Sequence, residues 1–294
     1  MNETTTTTTN SEPRLGFCSW LLRGRSLPGT VTFLAEAGYR SVAFLQDVMG
    51  VRGSERDEAA AAIRELGFSI TYHGCVQWWV GQDQRFDDAK VQAMFEDVRW
   101  WHENAGGVVS CCSDRVAGPT AEGPNRRYLE GETRRLAQRE RDFFEPLGIG
   151  YGIENCFHRY CLHEEMQGLR DSVPSPAPHL GSILDVGHAY VHVNFDRTDG
   201  MSFEEYLDRI PVRIWELHIT DNHGSADEHL APGAGTLDFR ALRRAMDRRG
   251  FDGPISMEVC KDAAHGDNCF DLSNPAHRDA IRRMRDDFLR LYVP

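Results

Sequence analysis

The sequence predicts an α/β chain closed as a single (β/α)8 barrel, and three observations predict it. From Arg14 onward, short apolar runs rich in Val, Ile, Phe and Gly alternate with longer stretches of helical period. Eight such runs recur at roughly 30–40 residues per unit, the spacing of parallel βα repeats. At the joints a glycine precedes a bulky residue, as in Gly38-Tyr39, Gly67-Phe68, Gly148-Ile149 and Gly250-Phe251. A left-handed cap at a helix C-terminus, leading straight into a strand, needs that pattern. Eight parallel strands close a barrel, and about 250 residues suffice for one. An open doubly wound sheet is the alternative, but no Gly-rich phosphate loop follows the first strand.

Taken in order, the strands are expected over 15–20, 41–45, 68–73, 107–112, 149–154, 180–185, 214–219 and 255–259. Helical period places helices over 30–37, 55–66, 87–103, 126–144, 203–209 and 239–249. A last helix over 275–291 opens with Pro275, a residue suited to the first helical turn. The fifth unit is the weakest. Between Asn155 and Pro178 the text is Cys, His, Arg, Glu and Gln with a Pro-rich exit, so its helix is expected to be short or replaced by a loop.

Composition bounds the function. The 294 residues carry 33 Lys+Arg against 45 Asp+Glu, a formal charge of −12. That balance argues against strong non-specific affinity for nucleic acid or anionic membrane. No run approaches the roughly 18–20 apolar residues of a membrane span. Residues 1–13, a Thr run with Asn, Ser and Glu, lack the basic and apolar regions of a signal peptide and read as a disordered tail, with 14–294 as one domain. Eight cysteines without a CxxC pair read as reduced thiols, and the cytoplasm is the expected compartment. The expected partner is a small-molecule substrate, not nucleic acid or membrane, and homo-oligomerisation stays open.

The chemistry lies at the strand ends. In a parallel barrel these ends and the loops after them build the active site. The fifth strand ends in Glu154-Asn155, the sixth in Asp185-Val-Gly-His188, the seventh in His218-Ile-Thr-Asp221-Asn222 and the eighth in Glu258-Val. Three carboxylates and an imidazole would thus converge on one mouth. Packed carboxylates repel and each is costly to desolvate. One divalent cation held by Glu154, Asp185, His218 and Glu258 solves that problem. The oxygen-rich, single-nitrogen set suits Mn²⁺, Mg²⁺, Co²⁺ or Zn²⁺ and does not discriminate among them.

At these residues the sequence resembles the xylose isomerase-like TIM barrel superfamily, the sugar phosphate isomerase/epimerase group related to the type IV apurinic endonucleases. The match rests on Glu154-Asn155, Asp185-Val-Gly-His188, His218-Ile-Thr-Asp221-Asn222, Glu258, and the stretch Asp227-Glu-His229-Leu-Ala-Pro232-Gly233-Ala-Gly235-Thr-Leu-Asp238. It is strongest from Gly148 to Val259. The resemblance implies that Glu154, Asp185, His218 and Glu258 hold the metal and that Glu154 and Glu258 flank the substrate as acid and base. The metal would polarise a carbonyl and hydroxyl, one glutamate would remove the adjacent C–H proton, and an enediolate would form. His188, Asp227 and His229 match substrate-binding or second-metal positions.

The resulting expectation is a metal-dependent isomerase or epimerase acting on a sugar, cyclitol or related polyhydroxy carbonyl compound. A metal-dependent lyase, dehydrating a keto-sugar or keto-acid at the same enediolate stage, is the first alternative. An endonuclease-type phosphodiester hydrolase stands behind it. The three-metal cluster of those endonucleases needs a histidine after the fourth strand, which here reads Cys111-Cys112-Ser113-Asp114. Softer substrate-binding candidates are Trp20 after the first strand, His73 after the third, His158 in the fifth loop and Lys261 just beyond the eighth strand. Trp78 and Trp79 are candidates to wall off a sugar face.

Overall fold

The computed structural model describes residues 13–45, 48, 50–74, 85–113, 124–155, 163–195, 200–262 and 267–293. Eight parallel strands close on themselves: β1 (Leu15–Cys18), β2 (Ser41–Leu45), β3 (Ser69–Gly74), β4 (Val108–Ser113), β5 (Gly150–Glu154), β6 (Leu180–Asp185), β7 (Arg213–Ile219) and β8 (Ile255–Met257). The barrel closes where β1 pairs with β8, with Phe17 opposite Met257. The predicted (β/α)8 barrel is therefore the observed fold, with strand bounds within three residues of expectation.

The outer layer comprises α1 (Leu27–Glu36), α2 (Ser54–Leu66), α3 (Asp88–Asn104), α4 (Pro124–Phe144), α5 (His163–Ser172), α6 (Val186–Phe195), α7 (Phe203–Arg209), α8 (Phe239–Arg249) and α9 (Pro275–Tyr292). Glycine stops work as the sequence implies. Gly67 and Gly250 are left-handed C-caps at φ +65° and +64°, and each sends its amide back to carbonyls of the last turn. The uncertain fifth unit does contain a helix, the ten-residue α5. One helix escaped the sequence reading altogether. α6 starts directly after β6, and its sequence, VGHAYVHVNF, is apolar on most sides, so it shows no helical period. A further two-stranded parallel ribbon, Leu22–Arg23 with Phe270–Asp271, lies outside the barrel.

Strand and helix layers meet in an aromatic-rich core. Phe44 on β2 packs against Trp101 on α3 with ring centroids 4.9 Å apart, and Phe17 on β1 sits edge-on to Tyr39 at 5.9 Å. Close strand approach makes some glycines obligatory. A Cβ at Gly152 of β5 would fall 1.8 Å from the Gly181 carbonyl oxygen of β6. Among the described residues no helix is long and apolar enough to cross a membrane.

A candidate metal centre at the barrel mouth

Alternation along each strand sends every second side chain into the barrel, and the last inward positions of β5, β6 and β7 are Glu154, Asp185 and His218. Asp185 and His218 are paired in register on neighbouring strands. Glu258 follows β8 directly, its amide continuing the ladder to the Ile219 carbonyl at 3.0 Å. One ligand atom from each of these four residues lies within 4.8 Å of all the others. The structure thus brings together the four residues that the sequence singled out.

Local chemistry explains the spacing of the Asp-Val-Gly-His segment. Asp185 Oδ1 accepts the His188 amide at 2.7 Å, the interaction of an N-cap with the third helical residue. Its other oxygen, Oδ2, is buried and accepts nothing. One oxygen starts α6 and the other is left for a ligand. Gly187 is required between them, because a Cβ there would lie 1.9 Å from Thr220 Oγ1. Asn155 fixes the strand ends by a reciprocal pair: it donates to the Asp185 carbonyl and accepts the Asp185 amide, both at 2.8 Å.

The electrostatics are those of a site short of positive charge. Burial pushes the Asp185 carboxyl up to about 6; His188 opposes the rise, and Glu258 and Glu154 add to it. Burial also raises Glu154, but His73 and His218 more than offset it and hold the acid at about 2. For His218 burial is again opposed, here by Glu258 and Glu216, which push the imidazole well up. His218 Nδ1 faces Glu258 Oε2 at 2.8 Å and Glu154 Oε1 at 3.3 Å. Neither Nδ1 nor Glu258 Oε2 has a hydrogen-bond partner of acceptable geometry, despite this proximity. Buried polar atoms that crowd one point without bonding one another fit a shared cation. Three carboxylates and one imidazole are a donor set for a divalent ion.

A second cluster stands beside the first. His188 Nε2 and His229 Nε2 approach the same atom, Asp227 Oδ2, at 3.1 and 3.2 Å. Their Nδ1 atoms lie 2.8 and 2.9 Å from the carbonyls of Asn155 and Glu258, which tie the cluster to the ends of β5 and β8. Burial opposes charge on both rings. Asp185 and Asp227 nevertheless raise His188 to about 10, while Asp227 and Glu258 raise His229 to about 11. The loop that delivers Asp227 and His229 is organised by Asp221. Its buried carboxylate accepts four amides, those of Asn222, Gly233, Gly235 and Leu237, at 2.9–3.1 Å. Gly235 is needed there, since a Cβ would meet Asp221 Oδ1 and the Asn222 carbonyl at 2.4 Å.

The softer candidates separate. His73 Nε2 lies 3.2 Å from Glu154 Oε2, and its ring stacks on His218 with centroids 5.5 Å apart. Trp20 presents its ring to both histidines at 5.6 and 6.1 Å, so it walls one side of the cluster. Lys261 forms an ion pair with Asp267, whose other oxygen is 3.6 Å from Arg23. Its ammonium is thus engaged by Asp267. His158, Trp78 and Trp79 lie outside the described residues. Sequence reasoning missed Glu216, which is fully buried inside the barrel, two residues before His218 on β7. The signal was available in Trp-Glu-Leu-His, where alternation gives Glu216 and His218 the same inward face.

The family of the xylose isomerase-like TIM barrel matches residues 31–287. Among curated proteins, an uncharacterized protein of Methanocaldococcus jannaschii is 34% identical over 116 residues, 39% of this chain and 38% of that protein. Fructoselysine 3-epimerase of Escherichia coli O157:H7 is 31% identical over 84 residues, 29% of this chain and 28% of the epimerase. The chain therefore aligns with well under half the length of either relative. Among solved structures, a D-psicose 3-epimerase determined in the presence of D-fructose superposes with a TM-score of 0.71. That superposition covers 96% of this chain and 100% of the other at 13% identity, a likeness of fold.

Proposed function

The chain belongs to the xylose isomerase-like TIM barrel family, and on that premise we propose that it is a metal-dependent isomerase or epimerase of a sugar, cyclitol or related polyhydroxy carbonyl compound. Residues 14–294 would form the catalytic domain. The observation that carries the reading is the approach of Glu154 and Glu258 to His218 Nδ1, at 3.3 and 2.8 Å, in one cluster with Asp185, whose Oδ2 is unpartnered. Glu154, Asp185, His218 and Glu258 would hold the ion, with Mn²⁺ the first to test. When bound, a divalent cation supplies Lewis acidity toward a carbonyl and its neighbouring hydroxyl.

The chain's own residues would then move the proton. One of the two glutamates takes it from the carbon next to the substrate carbonyl, and the other returns a proton to the opposite face or the adjacent carbon. His73 orients Glu154 through its Nε2 contact. His188 and His229, charged and both turned on Asp227, hold that carboxylate beside the metal site, where it can accept from a substrate hydroxyl. Trp20 covers one flank and limits water. Similarity to fructoselysine 3-epimerase over part of the chain, and to the D-psicose 3-epimerase fold, supports ketoses as the first substrates to test.

The test is incubation of the Mn²⁺-loaded protein with a panel of ketoses and keto-polyols in deuterated water. Epimerised or isomerised product carrying deuterium next to the carbonyl is expected. Product formed over many turnovers with no exchange would rule out the enediolate, and loss of water from the product would reassign the reaction to the lyases.

A further inference from the structure

We propose that Glu216 is a positioning residue for His218, the carboxylate that fixes which imidazole nitrogen faces the metal. The inference rests on the reading of Glu154, Asp185, His218 and Glu258 as the metal site. It starts from a mismatch deep in the barrel. His218 is completely buried, and neither ring nitrogen has a hydrogen-bond partner. Its Nδ1 faces the carboxylates of Glu258 and Glu154, and its Nε2 faces Glu216 Oε1 at 3.7 Å. Glu216 is completely buried as well. Its Oε1 accepts hydrogen bonds from Thr71 on β3, at 2.8 Å, and from Ser256 on β8, whereas its Oε2 accepts none.

A buried carboxylate with an idle oxygen beside a buried imidazole with an idle nitrogen costs stability unless the two are brought into use. Ligation through Nδ1 does so. A neutral imidazole that gives its Nδ1 lone pair to a cation keeps its hydrogen on Nε2. In this barrel Nε2 points at Glu216. The oxygen nearest Nε2, at 3.7 Å, is Oε1, which Thr71 and Ser256 already hold; a small tilt of the ring lets the Nε2–H join them there or turn to the idle Oε2 of the same carboxylate. The Glu216 carboxylate then holds the tautomer, fixes the ring plane and makes Nδ1 a stronger donor, as a carboxylate behind a metal-bound histidine does. Thr71 and Ser256 anchor Glu216 from two other strands, so the orientation of the ligand is set by the barrel wall. Glu216 lies beneath the cluster, where it acts through His218 without touching substrate.

The experiment compares Mn²⁺ and Co²⁺ affinity of the full chain with that of Glu216→Gln, by competition with a chelator, alongside the thermal midpoint of each metal-free protein. The amide keeps the shape and an acceptor for Thr71 and Ser256, but it offers no charge to an Nε2–H. The expected result is a dissociation constant raised about 10–100-fold, an altered Co²⁺ absorption spectrum and a metal-free midpoint no lower than that of the parent. An unchanged dissociation constant in the folded variant would overturn the proposal. If Glu216→Gln does not fold, the double change Thr71→Val with Ser256→Ala releases the Glu216 anchor, and it too should weaken the ion; unchanged affinity there overturns the proposal equally. A parent chain that takes up no ion would instead sink the metal-site reading beneath it.

Discussion

The two halves of the barrel put their buried polar groups to different uses. In β1–β4 several such groups find partners in the helical layer. Tyr72 reaches Asp97 of α3 at 3.3 Å, Asp97 pairs with Arg56 of α2 at 2.7 Å, and Ser113 donates to Glu140 of α4. In β5–β8 they turn inward and are left incomplete, with Asp185 Oδ2, Glu258 Oε2 and both nitrogens of His218 lacking partners. His73 is the contribution of the first half, and it joins by leaning on Glu154. Ser41, His73 and Ser110 of β2–β4 also hold atoms without partners, but among the described residues it is the ends of β5–β8 that gather three carboxylates and an imidazole at one point, and that half is the one built for a ligand. The first half supplies wall and scaffold.

The sharpest way to break this contrast is to remove basicity without removing size. Glu154→Gln and Glu258→Gln keep one oxygen ligand each, so the ion should stay while turnover falls by about 10²–10⁴-fold, the usual worth of general acid–base help. Steady-state rates together with elemental analysis of the variants check this. Turnover that survives in both variants would move the proton transfer elsewhere. Metal removal should also act on one half more than the other. At an ion concentration about a hundred times its dissociation constant, binding stabilises the native state by about 2.7 kcal/mol. Chelation should therefore lower the thermal midpoint. Amide exchange should rise at the ends of β5–β8 while the ends of β1–β4 hold. A uniform rise would mean that the two halves are not distinct.

How far the sequence disclosed this architecture follows the same division. Glu154, Asp185, His218 and Glu258 were legible because each ends a strand whose alternation forces it inward, and four such ends in succession are hard to explain otherwise. The glycine stops at Gly67 and Gly250 were legible because the left-handed region excludes most other residues. α6 was hidden because a helix buried on most sides loses its period. Glu216 was hidden for a different reason. It sits mid-strand, where alternation gives it the inward face of His218, but its role shows only once its anchors Thr71 and Ser256, on strands distant in sequence, are in place. Lys261 was read as a substrate-binding candidate just beyond the eighth strand, and its pairing with Asp267 became visible only in the structure.

Gly187→Ala tests whether the second half is built to tolerance. The added methyl would meet Thr220 Oγ1 at 1.9 Å, and overpacking of this kind costs about 1–3 kcal/mol. Because Gly187 lies between Asp185 and His188, the strain should appear twice, as a lower unfolding midpoint and as weaker ion binding. Calorimetry with and without metal separates the two. Loss of stability with metal affinity intact would show that the position of Asp185 does not depend on the start of α6.

Lys261→Ala should have the smallest effect, and it bears on the substrate. The Lys261 and Asp267 side chains are 25% and 40% exposed, and a solvent-screened ion pair of that kind contributes little to stability. Stability should barely change. The variant also asks whether this ammonium, just beyond β8, serves an anionic group on the substrate. An ammonium held by Asp267 reaches a substrate only by giving up that pair, and a polyhydroxy carbonyl compound needs no cation. KM for an uncharged ketose should therefore stay the same in Lys261→Ala. A phosphorylated ketose turned over by the parent, with KM raised at least tenfold in the variant, would show that Lys261 leaves Asp267 to bind the anion, and the functional contrast between the barrel mouth and its outer turns would have to be redrawn at that residue.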